Sequence, residues 1–281
     1  MTFSEQTFFP TSLLWIDSGC IPPEKQFQPF AMTDVLTTYS GQKKQPLIHF
    51  WQLSPTMILG MKDTRTPFLK AGIAVLKEQH YQVVVRNAGG LGVMADEGVL
   101  NVSLILPNSS THPCSIDAGY QLMWHWVKQT FPETTIEAYE VSESYCPGQY
   151  DLSIKGKKFA GIAQRRVKNG IAIMIYISVT GNQQKRGEIV RQFYQTSLKE
   201  AFGTNGYPPV NPASMDNLAT LLEQPLTVAD VKDRLLKTLT EEFQATLIPA
   251  SAKPLLTNPW FTHQLAVQIE KMTQRNAQIT D

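Results

Sequence analysis

Cys146 and Lys158 are the residues whose types and spacing could most readily do chemistry in this chain. Cys146 stands directly before a Pro-Gly pair, which is typical of a turn, and residues 150–154 then alternate apolar and polar side chains as a half-buried strand does. A hairpin with a second strand from Phe159 onward would bring Lys158 back beside Cys146. Because a cation next to a thiol favours the thiolate, the two residues could form an activated nucleophile.

The same residues allow a plainer interpretation. A free cysteine often packs as a small buried hydrophobe, and the six cations from Lys155 to Lys168 are typical of the solvated face of a hairpin. A cysteine hydrolase would need a histidine base, and no histidine lies within twenty residues of Cys146 in the sequence. From this stretch alone, nucleophile and buried hydrophobe both stay open.

A glycine-rich stretch is the second candidate for chemistry. The β-branched residues 83–85 lead into Arg86, then into a loop that contains Gly89 and Gly90, and a further strand is expected over 99–106. Glycine lets the backbone approach a ligand closely, and Arg86 could supply a fixed cation. The spacing is not that of a nucleotide phosphate-binding loop, and no helix clearly follows it, so we expect no ATP site here. A ligand-binding loop and an ordinary hairpin turn both fit.

The histidines and the other cysteines offer little chemistry. His112, Cys114 and His125 match no common ligand spacing, so we predict no metal site. His49 lies in an apolar strand and is expected to be packed and hydrogen-bonded. The three cysteines are odd in number, widely spaced and without a CxxC pattern, which argues against a disulfide framework and favours the cytoplasm.

Composition excludes several classes of function. The 281 residues are 42% hydrophobic, enough for one large domain or for a domain with a smaller appendage. The net charge is +1 with 17% charged residues, so nothing points to nucleic acid or to an anionic membrane as a partner. No signal peptide and no apolar run of about eighteen residues is present, so the protein is expected to be cytoplasmic and not inserted in a membrane.

The periodicity of the first two thirds predicts a mixed sheet covered by helices. Residues 1–30 carry aromatic and proline punctuation and are expected to be irregular, with one short helix. The apolar run 171–179 is expected to lie in the middle of the sheet. The other expected strands are 46–53, 56–61, 83–85, 99–106, 136–141, 150–154 and one from 159 onward. The expected helices are 31–39, 66–80 and 117–131, the last with an apolar stripe of Ile116, Tyr120, Met123, Trp124 and Val127.

After Gly181 the pattern becomes helical. The only credible linker is the proline-rich segment 207–212. Apolar residues at three- and four-residue spacing predict helices over 186–202, 215–222, 228–247 and 259–276. We therefore predict an α/β (α+β) protein, with a mixed-sheet catalytic domain over residues 1–205 and a helical C-terminal region over 206–281 packed on it.

The two glycine-containing stretches together resemble the lipoate–protein ligase and octanoyltransferase superfamily. The second signature of that superfamily corresponds to residues 156–165, and the resemblance covers roughly residues 30 to 200. It implies the fold of the biotin and lipoate protein ligases. The first signature aligns without a gap and retains Arg86, Gly89, Gly90, Val93, Asp96, Gly98, Leu100, Asn101 and Ser103.

Departures from the ligase pattern narrow the choice of activity. Leu91 replaces the third glycine and Ala95 replaces a histidine, which puts adenylate formation in doubt. The segment 146–154, Cys-Pro-Gly-Gln-Tyr-Asp-Leu-Ser-Ile, looks most like the cysteine-dependent N-octanoyltransferases, which move an octanoyl or lipoyl chain between protein lysines. The alternatives are an octanoyltransferase that uses acyl carrier protein, a lipoate–protein ligase, and a lipoyl-domain-binding protein without activity.

The resemblance implies roles for individual residues. Cys146 would be the nucleophile that carries the acyl group, and Lys158 would favour its thiolate and carry the proton of the leaving amine. Backbone N–H groups near Gly89 and Gly90, or around Gly148, are the candidates for stabilising the oxyanion. The implied substrate-binding residues are Arg86, Gly89, Gly90, Val93, Tyr150, Gly161 and Ala163, and Met94 and Ile162 are further candidates for an apolar tunnel.

The resemblance also implies the partners. The octanoylated H protein of the glycine cleavage system would be the donor, and the lipoyl domains of dehydrogenase E2 subunits would be the acceptors. One amide is exchanged for another, so neither ATP nor a metal is expected as a cofactor. The cations between Lys155 and Lys168 would complement acidic lipoyl domains. The oligomeric state stays open, with a monomer as the working expectation.

Overall fold

The computed structural model describes residues 9–108, 113–252 and 255–280, and these residues form two sheets. The strands of the main sheet are β1 (Ser12–Ile21), β2 (Leu47–Leu53), β6 (Val99–Pro107), β7 (Glu137–Ala138), β8 (Asp151–Ile154), β9 (Lys157–Val167), β10 (Gly170–Ser178) and β11 (Thr246–Pro249). Those of the small sheet are β3 (Thr56–Leu59), β4 (Gln82–Val85) and β5 (Val93–Ala95). The main sheet has the strand order β11-β1-β2-β6-β10-β9-β8-β7, and the small sheet has the order β4-β3-β5.

Helices cover both sheets and close three apolar cores. They are α1 (Gln28–Lys43), α2 (Leu69–Glu78), α3 (Ile116–Thr130), α4 (Gln183–Leu198), α5 (Leu218–Leu221), α6 (Val228–Glu241) and α7 (Pro259–Thr280). α3 and α6 pack together on the largest core, α1 and α7 pair on another, and α2 and α4 pack against the small sheet. None of the helices over the described ranges is both long enough and apolar enough to cross a membrane.

The predicted position of the apolar strand is confirmed. β10 lies between β6 and β9 and pairs antiparallel with both. Its isoleucines at positions 171, 173, 175 and 177 are at most 2% exposed. A strand that is paired at both edges and covered on both faces has no side for polar residues, which explains its near-continuous apolar sequence.

The prediction for the N-terminal residues was wrong. Residues 12–21 form the ten-residue strand β1, whereas residues 1–8 lie outside the described part of the chain. β1 pairs parallel with β2 and with β11, and its register shifts between Asp17 and Cys20. This irregularity places polar residues inside the strand and hides its alternation. Its hydrogen bonds come from residues far away in the chain, so no local pattern predicts it.

Several further boundaries differ from prediction, among them those of α1, which runs from Gln28 to Lys43 rather than over 31–39. The helix expected over 228–247 ends at Glu241, because residues 246–249 form β11 and bond to β1. The strand expected over 136–141 is reduced to the two residues of β7. The division of the chain at residue 205 stays a prediction. Leu218, Val231 and Leu239, which follow it, are fully buried in the same core as Trp126.

The apolar stripe of α3 was predicted with the wrong phase. Ile116 is 59% exposed, whereas Trp126 is fully buried and donates its indole N–H to the Leu235 carbonyl at 3.1 Å. The buried positions are Gly119, Leu122, Met123, Trp126, Val127 and Thr130. They recur at intervals of three and four residues, as a buried helix face requires, but the face is turned toward Trp126.

The buried histidine on β2 is packed and hydrogen-bonded, as predicted. His49 is fully buried, and its Nε2 lies 2.9 Å from Ser18 Oγ. Burial disfavours the charged imidazolium and lowers the pKa of His49 from 6.5 to about 4, although the charge of Asp17 opposes this. The folded protein therefore holds this ring neutral at moderately acidic pH.

We expect the His49→Gln variant to be less sensitive to acid than the unmodified protein. The unfolded chain binds a proton at this position below pH 6.5, and the folded chain does so only near pH 4. The free energy of unfolding therefore falls by roughly 3 kcal/mol as the pH falls through this window. Urea unfolding at pH 7 and pH 4.5 measures the loss, with His125→Gln as the control. Equal acid sensitivity in all three proteins would contradict the expectation.

Candidate functional site

Cys146 lies in the loop between β7 and β8, in a backbone conformation that residues other than glycine rarely adopt. Its φ is +48°, in the left-handed region. The ammonium of Lys158 donates to the Cys146 carbonyl at 2.9 Å and to the Tyr145 carbonyl at 3.0 Å. These charged hydrogen bonds offset the strain and hold the thiol in one place.

A buried ion pair supports this loop from below. Lys158 Nζ lies 2.9 Å from Asp151 Oδ1, and the two side chains are 6% and 2% exposed. The other carboxylate oxygen of Asp151 accepts the N–H groups of Val141 and Gly148, both at 3.2 Å. Burial raises the pKa of Asp151, while Lys158 and these N–H donors oppose the rise. Asp151 thereby joins both ends of the Cys146 loop to β8.

The structure corrects how Lys158 relates to the thiol. The predicted hairpin does return Lys158 to Cys146, but the ammonium bonds to the carbonyl oxygen of that residue. Four acceptors surround the three N–H groups of Lys158. They are the Tyr145 and Cys146 carbonyls, the Asp151 carboxylate and the Ser144 hydroxyl, which is 3.1 Å away. The ammonium therefore holds the backbone of Cys146 in place rather than bonding to its sulfur, and the predicted action of Lys158 on the thiolate stays a prediction.

Two other groups donate to the sulfur atom. The Leu91 backbone N–H donates to Cys146 Sγ at 3.2 Å, and Arg86 Nη2 lies 3.6 Å from the same atom. Arg86 Nη2 also donates to the Leu91 carbonyl at 3.1 Å, which braces the loop. A dipole and a fixed cation thus face the sulfur, an arrangement that favours negative charge there. The Gly148 N–H, an oxyanion candidate from sequence, is instead engaged by Asp151.

Two adjacent glycines in this loop differ in whether they can accept a side chain. Gly90 has φ +95°, and a Cβ added to it would lie 2.4 Å from Arg86 Nη2 and 3.0 Å from Cys146 Sγ. A Cβ on Gly89 would meet no atom within 4 Å. The close approach of the loop to the thiol therefore requires glycine at position 90 and not at position 89.

We expect Gly90→Ala to lower the rate of the acyl transfer that the resemblance implies roughly 100-fold, because the new methyl group pushes Arg86 and the loop away from the thiol. Gly89→Ala is the matched control and should lose less activity than Gly90→Ala, since its methyl group meets no protein atom within 4 Å. Initial rates with a fixed acyl donor measure both variants. Equal losses at the two positions would show that the close approach at Gly90 has no part in the reaction.

The predicted site residues meet around one cavity. Its volume is about 290 Å³, and it opens beside the thiol. A smaller, mostly apolar recess of about 60 Å³ adjoins it. The cavity wall includes Arg86, Gly89, Gly90, Val93, Cys146, Lys158, Gly161, Ile162 and Ala163. The two spaces share Arg86, Val93, Gly161, Ala163 and Tyr176, and the recess adds Phe30, Trp51, Ile58 and Met174.

Tyr150 is the exception among the predicted binding residues. Its ring stacks on Tyr120 with centroids 4.9 Å apart, and its hydroxyl donates to Asp117. Tyr120, which lines the cavity, takes the place expected of Tyr150. Met94, proposed as tunnel lining, is fully buried in the small sheet and lines neither space.

A buried polar chain beside the cavity was missed from the sequence. The hydroxyls of Tyr145 and Tyr176 lie 2.7 Å apart, and Gln183 Nε2 donates to Tyr145 at 2.9 Å. Gln183 in turn accepts from Ser178 at 2.8 Å. The one signal in the sequence was Tyr176 itself, a hydroxyl inside the apolar run of β10.

The predicted basic surface is weaker than its sequence indicates. Of its six cations, Arg166 donates to the Cys114 carbonyl at 2.9 Å rather than to a carboxylate. Four of the cations lie within salt-bridge distance of a carboxylate: Lys155 with Glu223, Lys157 with Asp216, Lys158 with Asp151 and Arg165 with Asp34. Pairing cancels much of the charge that was expected to attract an acidic partner.

The structure offers no alternative centre for metal chemistry in the ranges that it describes. No group of three or more His, Cys, Asp or Glu side chains there could hold a metal ion. Of the three residues considered from sequence, His112 lies outside the described residues.

Comparison with known proteins gives consistent results. Residues 25–240 match the lipoyl protein ligase A/B catalytic domain. The octanoyl-GcvH:protein N-octanoyltransferase of Oceanobacillus iheyensis is 45% identical over 77% of this chain and 78% of that protein. The protein of the same name from Exiguobacterium sibiricum is 41% identical over 90% of each chain. The lipoyl-GcvH:protein N-lipoyltransferase of Listeria monocytogenes is 41% identical over 80% of this chain and 82% of that protein.

Solved structures confirm the predicted fold class. Lipoate-protein ligase A bound with ATP superposes with a TM-score of 0.69 at 13% identity, covering 96% of this chain and 99% of that chain. A putative lipoate protein ligase from T. acidophilum with bound lipoic acid gives a TM-score of 0.67 at 13% identity, covering 96% of this chain and 100% of that chain. At such low identity the likeness concerns the fold alone.

Proposed function

Since this chain belongs to the lipoyl protein ligase A/B catalytic-domain family and is an acyltransferase, we propose that Cys146 carries an octanoyl or lipoyl group from one protein lysine to another. The observation that carries the proposal is the pair of donors on the sulfur atom, Leu91 N–H and Arg86, at the mouth of a cavity with an apolar recess. The donor is the acylated H protein, in keeping with the names of the relatives.

In the first half-reaction, the Cys146 thiolate attacks the carbonyl carbon of the donor's acyl-lysine. A C–S bond forms, the C–N bond breaks, and the lysine amine leaves after it takes up a proton. The tetrahedral intermediate places negative charge on the former carbonyl oxygen, one bond from the carbon attached to the sulfur. Leu91 N–H and Arg86, which already face the sulfur, are the candidate donors for that oxygen.

The leaving amine needs a proton source, because a free amide anion is too basic to depart. Lys158 lines the cavity and is the candidate that carries this proton. Its N–H groups are shared among four acceptors in the free protein, so one of these hydrogen bonds must give way during transfer.

The acyl chain enters the apolar recess beside Val93 and Ala163. Each buried CH₂ group contributes about 0.8 kcal/mol, so an eight-carbon chain gains several kcal/mol when it leaves water. The recess is small in the free protein, and side chains such as Phe30 and Met174 line it. Burial of the chain would also shield the thioester carbonyl from hydrolysis.

In the second half-reaction, the amine of an acceptor lysine attacks the thioester carbonyl. A C–N bond forms, the C–S bond breaks, the proton that the attacking amine loses returns to Lys158, and the Cys146 thiolate is restored. The proposed acceptors are the lipoyl domains of dehydrogenase E2 subunits. Because one amide replaces another, the exchange is nearly balanced in free energy, and we propose that it needs neither ATP nor a metal.

Intact mass spectrometry tests the proposal. The protein is incubated without ATP with octanoylated H protein, with lipoylated H protein and with octanoyl acyl carrier protein. A hydroxylamine-sensitive adduct from either H protein supports amidotransfer through a thioester. An adduct from acyl carrier protein alone would move the activity to the loading of octanoyl groups. If an acyl group appears on the acceptor only when ATP and free acid are supplied, the protein is a ligase and the proposal is wrong.

A further inference from the structure

We propose that Tyr194 and Asp63 are positioning residues that aim the Leu91 N–H at Cys146 Sγ. The proposal deepens the function given above, because it rests on Cys146 as the nucleophile. Neither residue lines the cavity, and neither belongs to the motifs singled out in the sequence. Both are fully buried, on α4 and on the turn that follows β3.

A pair of hydrogen bonds fixes the end of the glycine-rich loop. The Gly92 N–H donates to the Tyr194 hydroxyl at 3.0 Å, and this hydroxyl donates to Asp63 Oδ1 at 2.8 Å. An ionised carboxylate only accepts, so the hydroxyl hydrogen points at Asp63 and its oxygen is left to accept from Gly92. The carboxylate therefore sets the direction of both hydrogen bonds.

Asp63 also holds the segment beneath the loop. The other oxygen of Asp63 accepts the Gly60 N–H at 2.7 Å. Gly60 packs so closely under the loop that an added Cβ would lie 1.9 Å from the Gly90 carbonyl oxygen. One carboxylate thus holds the floor of the loop directly and the far end of the loop through Tyr194.

Leu91 directly precedes Gly92 and lies over Gly60, so both hydrogen bonds bear on its position. Its N–H reaches Cys146 Sγ at 3.2 Å, and its carbonyl accepts from Arg86 at 3.1 Å. A hydrogen bond to sulfur weakens steeply when its distance or angle drifts. Without the hydroxyl of Tyr194, Gly92 loses its acceptor and the loop can rotate the Leu91 N–H away from the thiol.

The test replaces Tyr194 with phenylalanine, which removes only the hydroxyl. Tyr207→Phe is the matched control, because Tyr207 packs against the Tyr194 ring at 5.9 Å but donates to the Lys62 carbonyl. Iodoacetamide labels Cys146 in both variants at pH 7, and peptide mass spectrometry follows each cysteine separately. Cys114 serves as the internal standard.

We expect Tyr194→Phe to slow the labelling of Cys146 about tenfold at pH 7, since a hydrogen bond to a charged group is lost. The other groups around Cys146, namely Arg86, Lys158, Asp151 and Tyr120, are unchanged in the variant. Tyr207→Phe and the labelling of Cys114 should match the unmodified protein.

Hydrogen exchange of the Leu91 and Gly92 amides provides a second measurement, and it should quicken in Tyr194→Phe alone. If that variant does not fold, Asp63→Asn replaces it, because an amide has one oxygen and cannot accept both the Gly60 N–H and the Tyr194 hydroxyl. Unchanged labelling and exchange in a folded variant would overturn the proposal. Labelling needs no carrier protein, so failure of acyl transfer in the unmodified protein would sink the proposed function and leave this result standing.

Discussion

Replacing Cys146 with alanine should reduce acyl transfer by at least roughly 10⁴-fold, the scale on which loss of a nucleophile acts. The thiol is the group that accepts the acyl chain, and no neighbouring side chain can replace it. Leu91 N–H and Arg86 would remain in place but would face a methyl group. The fold should survive, because Lys158 holds the backbone carbonyl of residue 146 and not its side chain.

Intact mass spectrometry and the rate of acyl transfer measure this effect together. Cys114→Ala is the control. Cys114 is another free thiol, two residues before α3 begins, and it does not line the cavity. The control should keep its activity and its adduct. A Cys146→Ala protein that still transfers acyl groups would mean that the donor lysine and the acceptor lysine react directly, with the protein only holding the two carriers.

Replacing Lys158 with methionine should lower the free energy of unfolding by about 3–5 kcal/mol, the usual cost of breaking a buried ion pair from one side. The change leaves the Asp151 carboxylate 2% exposed and without its cation. Activity should fall as well, because the carbonyls of Tyr145 and Cys146 lose their donor. Urea unfolding measures the first effect, and acyl transfer measures the second.

The double variant Lys158→Met/Asp151→Asn separates charge from packing. Both N–H donors to Asp151 bond to one oxygen, so asparagine can keep them and turn its amide nitrogen to the side that Lys158 leaves. We expect it to recover more than half of the lost stability but little of the activity. The single variant should be less destabilised at pH 5 than at pH 8, because burial raises the pKa of Asp151 and the neutral form tolerates burial. A pH-independent loss would show that the charge of Asp151 is not the cause.

Several parts of this site could be predicted from sequence because they depend on residue identity. Cys146 and Lys158 are chemically distinctive, and the turn and hairpin around them follow from Pro147, Gly148 and strand alternation. These residues alone left open whether Cys146 is a nucleophile or a buried hydrophobe, and the family resemblance favoured the nucleophile. β10 was placed correctly because burial on both faces leaves a continuous apolar run. Each of these signals is local, or nearly so.

What sequence did not predict depends on contacts between distant segments. The Leu91 donor is a backbone group that any residue would supply, and its value comes from the path of the loop. Tyr194 and Asp63 are 131 positions apart and look like ordinary polar residues until the fold joins them. Tyr150 was chosen for its closeness to Cys146 in the chain, but α3 offers Tyr120 to the cavity and turns Tyr150 outward.

The parallel pairing of β1 with β11 also sets the order in which the molecule can be completed during synthesis. β1 leaves the ribosome early, yet its outer edge pairs with Thr246–Pro249. At ribosomal rates this edge waits roughly ten seconds or longer for its partner. Leu13 and Leu14, fully buried in the finished sheet, lie on the waiting strand. An unpaired apolar strand invites association with other chains, so the nascent protein is most vulnerable to aggregation before its last strand emerges.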